Sequence, residues 1–251
     1  MYDLPSYVWA LVLVGVIGIP ASTCAVLYRS AVAAGVGRRA ATAVTAITAA
    51  GLGCWLVVSG LLAHAGVYRQ DPGEGVPWLG VVVVGILITL LLATWIPLVS
   101  RIFADPGTPA RLALPHTLRV VGVLFLIVMA QGHLPAAFAL PAGLGDIAIG
   151  VAAPFVARRL ARGIYDARAV WFNIMGIVDL VVAVGIGFLA GLGPARLLDV
   201  TPSTEAVALL PLALIATTAV PLAVALHIVS LWRLRAMSRG GTGMAAEAPT
   251  R

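Results

Sequence analysis

Two aspartates stand where acids are rare. Asp146 and Asp179 each fall near the middle of a long, mostly apolar run. A carboxylate at the centre of a bilayer costs about 2.5–3.5 kcal/mol on insertion scales, so its presence asks for a reason. Asp146 lies about 11 residues before one end of its run and Asp179 about 10 residues after the matching end of the next, which at helical rise sets them at nearly one depth. Asn173, earlier on the second run, adds an amide to the candidate site. No arginine is placed at that depth, so two facing carboxyls would titrate as a coupled pair. Two readings stay open: a site for a proton, cation or substrate, or two neutral acids hydrogen-bonded across a helix interface. No catalytic residue and no metal ligand set is assigned.

The four histidines form two pairs. His64 and His133 fall near one set of helix ends, His116 and His227 near the other. Two pairs at two depths is what a two-haem cytochrome needs. Interfacial histidine is ordinary, so the expectation is no haem and no other cofactor. Interior prolines fall in every second span, and Pro141, Pro211 and Pro221 are the candidate hinges, because a proline frees a carbonyl and bends its helix.

The elements that must carry these groups are helices of membrane-crossing length. Seven spans are predicted at residues 7–28, 41–66, 77–101, 117–132, 135–157, 169–191 and 206–232. The breaks carry turn chemistry, as at Gly35-Val36-Gly37, Asp71-Pro72-Gly73-Glu74-Gly75 and Asp105-Pro106-Gly107. The stripe Ala139, Gly143, Asp146, Gly150, Ala153 predicts a narrow face on the fifth span pressed against the sixth. Gly143 to Asp146 and Gly176 to Asp179 repeat one spacing, continued by Val151 with Val184 and Phe155 with Phe188.

All 16 basic residues are arginine, which excludes Schiff-base and phosphate-loop chemistry that needs lysine. Assigned to alternate loops, 14 fall on one side, Arg119 among them, and only Arg69 and Arg196 on the other. That bias puts the N-terminus outside and the C-terminus in the cytoplasm. Tyr7, Trp9, Tyr68 and Trp78 mark the outer interface, Tyr28, Phe103, Trp171 and Trp232 the inner one. Residues 236–251 read as a disordered cytoplasmic tail.

Composition agrees. The chain has 251 residues, 61% apolar and 10% charged, with mean hydropathy +1.05. A soluble domain is about 45–50% apolar and about 25% charged, so an ordinary soluble enzyme is excluded. The net charge of +6 sits at the ends of apolar runs, which argues against nucleic acid. Cys24 and Cys54 lie inside apolar runs and read as small core residues, not as a disulfide.

Gly143-Leu144-Gly145-Asp146 resembles the Gly-x-Gly-Asp signature of intramembrane aspartyl proteases, and Leu140-Pro141-Ala142 is similar to their Pro-Ala-Leu element. That resemblance implies two aspartates activating a water. The order departs from the family, because the second acid, Asp179, follows the signature instead of preceding it. From Arg119 to about Leu234 the chain resembles uncharacterised bacterial multi-pass membrane proteins, through Leu134-Pro135-Ala136-Ala137-Phe138, the Pro141–Asp146 stretch, Trp171-Phe172-Asn173 with Gly176 and Asp179, and Pro221-Leu222 with His227. No activity comes with that likeness.

The expectation is therefore an all-α bundle of seven transmembrane helices in a bacterial cytoplasmic membrane, with residues 1–235 as one domain. A small transporter, channel or proton-linked component comes first, with an ion or small molecule as substrate. An aspartyl-type membrane enzyme and an assembly subunit whose acids pair with another membrane protein are the alternatives.

Overall fold

The apolar runs fold into helices. The computed structural model describes residues 4–69, 76–193 and 196–246, and no strand occurs among them. The chain runs through α1 (Ser6–Ala33), α2 (Arg38–His64), α3 (Trp78–Ala93), α4 (Pro97–Phe103), α5 (Thr108–Ala130), α6 (Ala136–Ala161), α7 (Ala167–Leu189) and α8 (Val220–Ala246). A π-turn, Ile215–Ala219, leads into α8. Helices α1, α2, α5, α6, α7 and the stretch Ile215–Arg239 are each long and apolar enough to cross a membrane. Gly35 and Gly37 close the α1–α2 turn with φ of 68° and 87°, a region open to glycine at little cost.

Outward faces are apolar: Ile47, Val57, Leu61, Phe155 and Val181 are exposed. Arg119, Asn173, Thr217 and His227 are buried. This inverts the arrangement a chain adopts in water. Cys24 is buried, but Cys54 belongs to the exposed face and not to a core. Tyr68 is buried as well, bonded to Ser59 at 3.2 Å, so it is no interface anchor.

The third predicted span, residues 77–101, holds only as a bent pair: α3 and α4 meet at 83°. The break has a local cause. Ile96 precedes a proline and is extended, at φ −58° and ψ 125°, and Pro97 then starts a new helix instead of kinking an old one. Pro141 and Pro154 do lie inside α6. Pro211 lies before the π-turn, outside any helix, and Pro221 lies two residues past the π-turn, inside the continuous helical stretch Ile215–Arg239. The last helix continues to Ala246, so the expected disordered stretch is helical as far as it is described. The turn at 71–75 and residues 247–251 lie outside the described residues.

Helix α5 differs most from expectation. It begins at Thr108, not Thr117, and its middle, Leu114–Gly122, is a 3₁₀-helix. At three residues per turn, side chains three apart line up on one edge. His116, Arg119 and Gly122 form such a line.

Candidate functional site

The 3₁₀ line of α5 faces the two aspartates. Arg119 donates from Nε to Asp146 Oδ1 at 2.7 Å, and from Nη2 to Asp179 Oδ2. A third donor, Nη1, reaches His227 Nε2 at 3.2 Å. An arginine only donates, so His227 Nε2 accepts; Nδ1 then carries the hydrogen and donates to Asn173 Oδ1 at 3.0 Å. Asn173 passes the chain on, donating from Nδ2 to Ala169 O at 2.8 Å. Four helices, α5 to α8, thus meet through one connected set of polar groups.

The expectation that no arginine stands at the acids' depth is overturned. By hydropathy the run starts at residue 117, because Arg111, Pro115 and His116 interrupt the apolar residues before it. With the helix starting at Thr108, Arg119 falls in its middle. Arg119 therefore leaves the topology count, in which thirteen arginines remain on the rich side against two.

Burial grades the cluster. The Arg119 side chain is 3% exposed, that of Asp146 16% and that of Asp179 13%. Two carboxylates and one guanidinium leave a formal charge of −1. Taking such ions out of water is expensive and is offset only when the remaining donors and acceptors are bonded. The fork geometry of arginine allows three partners at once, which an ammonium on a flexible stem does not match.

Glycines make the approach possible. A Cβ on Gly145 would strike the Asp179 carboxylate, one on Gly176 the His227 ring and one on Gly122 the Asp146 side chain. On the predicted small-residue stripe, Gly143 and Gly150 press on α5, against Leu126 and the Val120 backbone, not on α7. Gly145, one place off the stripe, makes the α7 contact. The repeat of Gly and Asp spacing therefore does not carry equal roles: Phe155 is exposed, whereas Phe188 packs over Gly80.

His116 stacks on His227 with ring centroids 3.7 Å apart and planes 14° from parallel. Axial haem ligands point their nitrogens at one another across an iron, which face-to-face rings do not do. His116 Nε2 has no hydrogen-bond partner among the described residues. His64 ends α2 and His133 lies in the turn after α5, away from this stack. The two carboxyls are bridged by the Arg119 guanidinium, a basic partner that the expected acid pair lacked.

Asp146 and Asp179 form the floor of a cavity of about 920 Å³, mouth included. Its lining runs from these acids to Tyr68, Thr204 and Glu205 and includes residues of α3, α6 and α7. A smaller space of about 380 Å³ lies on the other side of Asp146, lined by Arg119.

A family model described as a domain of unknown function, DUF8737, matches residues 76–235, well over half of the chain. The chain belongs to the DUF8737 family. The matched DUF8737 region holds His116, Arg119, Asp146, Asn173, Asp179 and His227, and leaves out the α1–α2 hairpin. No curated protein matches the chain, and no solved structure does.

Proposed function

We propose that this DUF8737 protein is an integral membrane protein of the bacterial cytoplasmic membrane and a small proton-linked transporter, with Asp146 and Asp179 as its working acids. The observation that carries this reading is the buried Arg119 bridging two acids that both line one cavity. Intramembrane ionisable residues that line a cavity are typical of proton and substrate pathways. The guanidinium does not release its proton in proteins, so it is a fixed charge. The carboxylates are the groups that change state, and one proton or one monovalent cation balances the cluster. Asn173 and His227 hold the guanidinium in place from the other side. The arginine-poor end, which carries Tyr68 and Glu205, is the outer one by the positive-inside rule.

Infrared difference spectra of the full chain in lipid nanodiscs test the reading. A protonated-carboxyl band should appear as pH is lowered, and should change in both Asp146→Asn and Asp179→Asn. A spectrum with no titrating carboxyl, or one that neither substitution alters, overturns it. Orientation is tested separately: a reporter fused after Arg239 should be active only in the cytoplasm, and one placed between residues 70 and 75 only outside.

A further inference from the structure

The chemistry of the cavity wall selects a class of guest. Most of the cavity lining is apolar, with Phe125, Phe138 and Phe188 among the walls. Among the described residues, the charged side chains that line it are all acidic: Asp146, Asp179 and Glu205. Arg119 does not line it. The acids are the more accessible partners, since the Arg119 side chain is 3% exposed against 16% and 13% for theirs.

Donors for an anion are already committed. The Tyr68 hydroxyl is paired with Ser59, and Thr204 Oγ1 donates to the Gly187 carbonyl at 2.6 Å. A guest would therefore meet aromatic faces, which attract cations, above a floor with one uncompensated negative charge. Resting on the reading of the acids as the working centre, we infer that the cavity binds a lipophilic organic monocation, its positive end against Asp146 and Asp179 and its apolar body among the phenylalanines. The guest and the proton then compete for the same charge, which makes its binding weaken as pH falls.

Tetraphenylphosphonium and tetraphenylborate, nearly equal in shape and opposite in charge, separate this from plain hydrophobic binding. Calorimetric titration of the full chain in detergent should show the phosphonium binding at one site and the borate at least tenfold more weakly. Asp146→Asn and Asp179→Asn should each cut phosphonium affinity at least tenfold, because each leaves the cluster neutral. Each single variant keeps one carboxylate for Arg119 and so should fold. Equal binding of the two ions, no phosphonium binding, or phosphonium binding untouched by either substitution overturns the inference. The wild-type comparison of the two ions decides the matter even if a variant misfolds. Failure here with a titrating carboxyl band in the infrared leaves the proton-linked reading standing; aspartate-dependent phosphonium binding without such a band does the reverse.

Discussion

Arg119 serves three partners from three nitrogens, and its substitutions should be graded by how many remain. Asp146→Asn or Asp179→Asn alone leaves a counter-charge, and each should cost about 1 kcal/mol or less, in line with polar contacts between membrane helices. Together they leave a buried guanidinium unpaired, and the double variant should cost about 3–5 kcal/mol, far beyond the sum. Arg119→Lys keeps the charge but not the fork, and should destabilise more than either single Asn. Unfolding midpoints in detergent measure all four. The acids, their common depth and Asn173 were legible in the sequence, because a charge inside an apolar run is conspicuous. Arg119 was not. An arginine near the edge of an apolar run reads as a topology marker, and only the line His116, Arg119, Gly122, at intervals of three, hinted at a 3₁₀ edge.

At the scale of the element, glycine decides which helix faces meet. Gly145→Ala and Gly176→Ala should lower the melting temperature and displace the cluster, since the added methyl collides with Asp179 and with His227. Gly51 and Gly185 have nothing within 4 Å of such a methyl. Alanine there should be neutral, or stabilise by up to about 1 kcal/mol through helix propensity. Spacing alone marked the glycines of α6 as a packing stripe but assigned them to the wrong neighbour, because a helix with small residues on adjacent rows can serve two partners. The start of α7 gives a pH-dependent check outside the apolar layer. Asp166 caps that helix, accepting from the Ala169 amide, and pairs with Arg159. The bond from Arg159, with lesser help from that amide and from Arg168, holds its carboxyl below the ordinary range. A depressed carboxyl stabilises the fold above its unfolded value and ceases to as pH falls through the folded one. Asp166→Asn should therefore melt below the wild type at neutral pH, and the gap should close below about pH 4.

Across the whole molecule, helix number and order follow from hydropathy, while the meeting of four helices at one arginine depends on where α5 starts and how tightly it winds. The family match covers that meeting point and omits α1 and α2, so the DUF8737 region carries the cluster and the hairpin flanks it. α1 packs on α5, and α2 joins the bundle through Leu52, Leu56 and Ala63 and a polar patch, Trp55 donating to the Thr217 carbonyl at 2.9 Å and Ser59 bonded to Thr217 at 2.6 Å. The depth of the cluster has an electrical consequence. Asp146 and Asp179 sit near the midpoints of α6 and α7. In the proposed membrane orientation, a charge that reaches them from the outside has crossed about half of the spanning layer. In a polarised membrane a unit charge gains about 2.3 kcal/mol per 100 mV over the full thickness, so half the path is worth about 1.2 kcal/mol, or about sevenfold in occupancy. Phosphonium binding to the protein in vesicles should shift by about that factor when 100 mV is imposed, with interior-negative voltage favouring it, and the cavity would then act as a voltage-sensing well for whatever cation it holds.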